Sequence, residues 1–127
     1  MDSQIQMPLP GMTYTSSLVV TDAHTALAMG SGDLPVFATP AMVALMENAA
    51  MNAVAVSLPE GMTTVGGLIE AQHLAPSLVG ASVEAKATLT EVKGRKFTFD
   101  IEAFEGDKVI GKAKHIRFAV QREGFVQ

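Results

Sequence analysis

Glu47 lies in PVFATPAMVALMENAAMNAV, residues 35–54, a segment apolar on nearly every side. On a helix its neighbours at i±3 and i±4 are Val43, Ala44, Ala50 and Met51, none of them cationic. Desolvation without a positive partner favours the neutral acid. The residues alone leave three readings for Glu47: a poised acid/base, an unhydrated nucleophile, or a structural acid hydrogen-bonded to a loop.

His73, in IEAQHLAP, shares a strand face with Ala71 and Ala75, while Gln72 points the other way. An imidazole titrates near neutral pH and suits general-base work on water. The plain alternative is a hydrogen-bonded strand histidine, and His24 and His115 are read that way. No two histidines have ligand spacing and the chain has no Cys, so no metal site is expected. Thr39 precedes Pro40 and reads as a helix N-cap. Gly66-Gly67 inside a strand marks a bend, or a backbone N–H left open for a ligand.

These residues need elements to hold them. TYTSSLVV, 13–20, reads as a first strand, and residues 21–35 as a loop with a short helical turn near 24–29. The helix is expected from Pro40 to about Ser57, with Pro59 and Gly61 ending it. Met42, Leu45, Met46, Ala49, Ala53 and Val56 form its stripe, and it should be buried on most sides. The period then switches to two. Strands are expected at 63–75, 82–92, 96–104 and 108–120, with hairpin turns at Lys93-Gly94-Arg95 and Glu105-Gly106-Asp107. The apolar parity of the last strand slips around Gly111 to His115, which suggests a bulge. One long apolar sheet face and one helix to cover it imply an α+β fold: a curved antiparallel sheet, its last four strands a meander, wrapped around the helix.

The chain of 127 residues suits one domain, 1–127, with residues 1–12 an irregular N-terminal arm. Residues 1–12 lack the pattern of a signal peptide and no apolar run is long enough to span a membrane. A cytoplasmic protein is therefore expected, with no membrane partner. A net charge of −4 argues against a general nucleic-acid binder. Two basic groups stand out: Lys93, Arg95 and Lys96, and Lys108, Lys112, Lys114 and Arg117. They read as solvated strand faces, or as contacts for the phosphates of a nucleotide-bearing substrate.

Four stretches carry a family resemblance: VFATPAMVALMENAA (36–50), GGLIEAQHLAPSLVG (66–80), LTEVKGRKFTFDIEAF (89–104) and GKAKHIRFAV (111–120). They resemble the hotdog-fold acyl-CoA thioesterases of the fluoroacetyl-CoA thioesterase-like group. The resemblance implies a hotdog fold and hydrolysis of an acyl-CoA substrate. It implies catalytic roles for Thr39, Glu47 and His73, a backbone role for Gly66, and no cofactor; Gly67, beside it, is a second candidate for substrate contact through its N–H. It also implies a homodimer or higher homo-oligomer with the acyl site between protomers. The loop AMGSGDLP before VFAT has no aromatic residue, so a small fluorinated acyl group is not the implied substrate. Two rivals stand beside a hydrolase. An enoyl-CoA hydratase of this fold places Asp and His close together on the helix segment, and this helix has no His. A non-catalytic acyl-CoA binding protein would not need Glu47 ionisable.

Overall fold

A computed structural model describes residues 7–126. The first half of the expected arm, residues 1–6, lies outside the described residues. Residues 7–12 carry no helix or strand and lie against the third strand, through Gly11 N to Leu89 O and Leu89 N to Met12 O. The order is β1 (Thr13–Val19), a 3₁₀ turn (Asp22–His24), α1 (Ala26–Met29), α2 (Thr39–Ala55), β2 (Met62–His73), β3 (Ser82–Lys93), β4 (Lys96–Glu105) and β5 (Lys108–Gln121).

Helix α2 runs without a breaker until Pro59 and Gly61, as its Ala, Met and Leu content dictates. Its start differs from expectation. The N-cap is Ala38, in an extended conformation, whose carbonyl takes the first helical hydrogen bond from Met42 N. Thr39 is already helical and caps nothing, because its hydroxyl is drawn to a histidine on β2. Burial is also narrower than expected. Ala41, Met42, Leu45, Met46, Ala49, Ala50, Ala53 and Val54 are buried, whereas Ala44 and Val56 face outward. Val56 lies past the last turn, where no strand reaches it. Glu47 therefore sits at the margin of the packed face, half-buried, rather than inside a fully enclosed helix.

All strand pairs are antiparallel, in the order β1-β3-β4-β5-β2. The meander holds for β3, β4 and β5 only. They are joined by two-residue turns led by Gly94 (φ +59°) and Gly106 (φ +61°), a backbone that glycine adopts readily and that matches strand twist. The longer Pro76–Gly80 connection imposes no such adjacency. Strand β2 instead takes the far edge beside β5. The inner sheet face presents Val83, Ala85, Ala87 and Leu89 of β3 and Phe97, Phe99, Ile101 and Ala103 of β4 to the helix.

Two irregularities matter for the site. In β2, Gly66 pairs with Arg117 and Leu68 with Ile116, so Gly67 is an extra residue and the ladder bulges. In β5 the register shifts at Ile110, one residue before the stretch expected to bulge. From Gly111 to Ala119 the alternation is regular, with Gly111, Ala113, His115, Arg117 and Ala119 all buried. The apparent slip in parity comes from two polar residues turned inward.

Candidate active site

The bulge at Gly67 resets the facing of β2. Residues 66 and 73 are seven apart, so a regular strand would put them on opposite faces. With one residue inserted, Gly66 and His73 both face α2. Gly67 faces outward instead, under the ring of Phe118 on β5. A Cβ at 67 would collide with that ring.

Two clusters lie along this face. The first joins the start of α2 to the end of β2. Thr39 Oγ1 and His73 Nδ1 are 2.8 Å apart. His73 Nε2 is buried and has no hydrogen-bond partner among the described residues. Phe37 stands edge-on to the imidazole at 6.1 Å between centroids. An open cleft of about 300 Å³ adjoins the pair, lined by Phe37, Thr39, His73, Leu74, Ala75 and Pro76. Burial lowers the pKa of His73 below the usual histidine value of 6.5 and favours the neutral ring.

The second cluster surrounds Gly66. A methyl group there would lie 3.4 Å from Glu47 Oε2, 3.4 Å from His115 Cε1 and 3.6 Å from Arg117 Nη1, so these groups converge on one small space. Arg117 donates from Nε to Thr64 Oγ1 (2.7 Å) and from Nη2 to the Thr64 carbonyl (3.0 Å). It also meets His115 Nε2 through Nη1 at 3.2 Å. His115 Nδ1 lies 2.7 Å from the Leu68 carbonyl. Burial lowers the pKa of Arg117 and the Glu47 carboxylate opposes that effect.

Two expectations are corrected here and a third is extended. Glu47 does have a cationic neighbour, but it comes from β5 and not from the helix. Arg117 is only 7% exposed, so it belongs neither to a solvated strand face nor to a phosphate contact. His115 is a fully buried strand histidine, as read, yet it is part of the network beside Glu47. The signal for both was present in KVIGKAKHIRFAV. A strict period of two from Ala113 to Ala119 turns His115 and Arg117 inward. The remaining basic side chains are surface groups. Lys114 pairs with Asp100 at 3.2 Å and Lys93 with Glu91 at 3.7 Å, both in solvent, where such pairs contribute little. A polar cleft between Gln72, Lys86, Asp100, Glu102, Lys112 and Lys114 lies on the outer sheet face, opposite the face that carries both clusters.

The clusters do not meet within the chain. Gly66 and His73 are separated by about 20 Å of strand, and Thr39 and Glu47 by about 12 Å of helix. Among the described residues no hydrogen bond joins the two clusters.

A family model described as the fluoroacetyl-CoA-specific thioesterase matches residues 20–123. A curated relative, the fluoroacetyl-CoA thioesterase of Streptantibioticus cattleyicolor, is 37% identical over 90 residues. That match covers 71% of this chain and 65% of the relative, so the chain spans about two thirds of the relative's length. The crystal structure of a point mutant of the fluoroacetyl-CoA-specific thioesterase in complex with fluoroacetate and CoA is 31% identical, with a TM-score of 0.86 over 93% of this chain and 99% of that one. A Thermus thermophilus hypothetical protein described as a thioesterase superfamily member is 28% identical, with a TM-score of 0.83 over 95% of this chain and 88% of that one. The fold is thus the hotdog fold expected from the sequence.

Proposed function

Because the chain belongs to the fluoroacetyl-CoA-specific thioesterase family, we propose that it hydrolyses an acyl-CoA thioester to the free acid and CoA. The observation that carries this reading is the Thr39–His73 pair, a histidine oriented through Nδ1 whose buried Nε2 is left unengaged. With Nδ1–H donated to Thr39, Nε2 holds a lone pair able to take a proton from water. The N-terminus of α2 lies beside this pair. Its free backbone N–H groups suit a thioester oxygen as it gains negative charge. The Gly67 bulge takes backbone of β2 out of the ladder and supplies a second place for that oxygen.

Glu47 is the acting carboxylate in this reading. It either takes the proton of a water that attacks the thioester carbonyl, or attacks that carbonyl itself to form a mixed anhydride that water then hydrolyses. In both routes the C–S bond breaks and CoA leaves as a thiolate that takes up a proton. Because His73 and Glu47 do not meet in one chain, each site combines two protomers. Strand β2 has a free edge flanked by exposed Leu68 and Phe118. Antiparallel pairing of two such edges, centred near Ile69 and Glu70, brings His73 opposite the partner's Gly66 and Glu47. The working unit is then a cytoplasmic homodimer of single-domain chains, with Thr39, His73 and the partner's Glu47 around one acyl group.

The test is free CoA release from acetyl-, propionyl- and longer acyl-CoAs by the wild type, Glu47→Gln and His73→Ala. Collapse of turnover in both variants, with the oligomer intact, supports hydrolysis. Acyl-CoA binding without turnover in the wild type returns the protein to the class of acyl-CoA binders.

A further inference from the structure

His115 is 0% exposed, and both of its ring nitrogens are engaged. A carbonyl oxygen only accepts, so the 2.7 Å contact with Leu68 requires a proton on Nδ1. A guanidinium only donates, so the 3.2 Å contact with Arg117 requires a lone pair on Nε2. Two neighbours from different strands thus demand the same neutral tautomer. On its other side Arg117 is held by Thr64, through the hydroxyl and the carbonyl. The planar guanidinium is gripped from β2 and from β5, and its charge faces Glu47 of α2 across the space at Gly66.

We propose that His115 is a positioning residue: as the neutral Nδ1–H imidazole it fixes the Arg117 guanidinium at the place where its charge orients the Glu47 carboxylate. This rests on the reading of Glu47 as the acting carboxylate. A proton added at Nε2 would replace an acceptor by a donor facing a donor. Arg117 would lose its third anchor and swing from Glu47. The groups facing His115 are few. Its own strand supplies Arg117, and α2 supplies Glu47. Strand β2 supplies the Leu68 carbonyl and Gly66, and β4 the ring of Phe99 at 6.1 Å. Burial and Arg117 oppose protonation, while Leu68 and Glu47 favour it, and burial is the largest effect. The lock therefore holds at neutral pH and opens in acid, below the usual histidine value.

The test couples imidazole ¹⁵N NMR on the wild-type protein with two substitutions. The NMR spectrum should show His115 as the neutral Nδ1–H tautomer at pH 7, and its protonation should begin at lower pH than that of an exposed histidine. His115→Phe removes the acceptor. It should lower kcat on the best substrate of the acyl-CoA panel by roughly ten- to a hundredfold, with KM within about twofold. His115→Gln restores an acceptor oxygen within reach of Arg117 and should recover most of that loss. An Nε2–H or doubly protonated ring at pH 7 would overturn the proposal. So would wild-type kcat in His115→Phe, or a glutamine variant as impaired as the phenylalanine one. If His115→Phe fails to fold, the tautomer and the glutamine variant still decide. A wild type that releases CoA from no substrate sinks the hydrolase reading, whereas the NMR measurement judges the lock without any activity.

Discussion

The Thr39 hydroxyl, at the first turn of α2, lies 2.8 Å from His73 Nδ1 on the edge strand β2. The helix it begins is capped instead by the backbone of Ala38. Thr39 is therefore free of the structural duty that its place before Pro40 suggests. Thr39→Val should cost about 1 kcal/mol or less, the net worth of the one hydrogen bond to His73, because no helix cap is lost with it. Turnover should fall at least roughly tenfold as the imidazole loses its orienting partner. Thermal unfolding and CoA release measured on one preparation check both parts.

Mixing two variants tests the proposal that each site is shared between two protomers. Glu47→Gln and His73→Ala should each lose roughly 100-fold or more in kcat. Combined and allowed to exchange subunits, they form heterodimers with one intact site and one doubly defective site. About a quarter of wild-type turnover should return at equal mixing, from symmetry alone. No recovery, with exchange demonstrated by mass spectrometry, would mean that Glu47 and His73 act within one chain.

Gly66 is the floor between Glu47, His115 and Arg117. An added methyl meets these groups at 3.4–3.6 Å, which is ordinary to slightly tight contact. Gly66→Ala should fold with a change of less than about 1 kcal/mol, yet turn over at least roughly tenfold more slowly because the carboxylate is displaced. Gly111→Ala should do the opposite. Its methyl would press on buried Met42 (Cε at 2.9 Å) and lie 3.1 Å from the Gln72 carbonyl, so a loss of about 1–3 kcal/mol is expected in denaturant melts.

Acid should weaken both the fold and the activity. The pKa values of His73 and His115 are lowered in the folded chain, mainly by burial. Below pH 6.5 the unfolded chain binds more protons at these positions than the folded one, so stability rises with pH up to that value. It is complete above it and declines as pH falls through the folded values. Urea melts between pH 5 and 8 should show this slope, and it should be shallower in His115→Gln. The kcat/KM profile should have an acid limb below pH 6.5 to which His73 and His115 both contribute, so His73→Ala should shift it and retain the part due to His115.

Local rules written into the chain set much of its shape. The run from Thr39 onward makes a helix, Thr39–Ala55, because nothing in it opposes one, and it ends a few residues before Pro59 and Gly61. The turns at Gly94 and Gly106 join neighbouring strands because two residues leave no other route. VFAT, LMENA and AQHLAP carried the family and with it Thr39, Glu47, His73 and Gly66 as candidates. How these candidates are grouped depends on long-range packing. Strand β2 leaves the meander for the far edge, a choice that a longer loop permits and local propensity does not encode. The bulge at Gly67 then puts Gly66 and His73 on one face, against the simple alternation of a strand. Arg117 became the cationic neighbour of Glu47 because β5 runs beside β2. That contact joins residues seventy positions apart, and no periodicity within either segment predicts it.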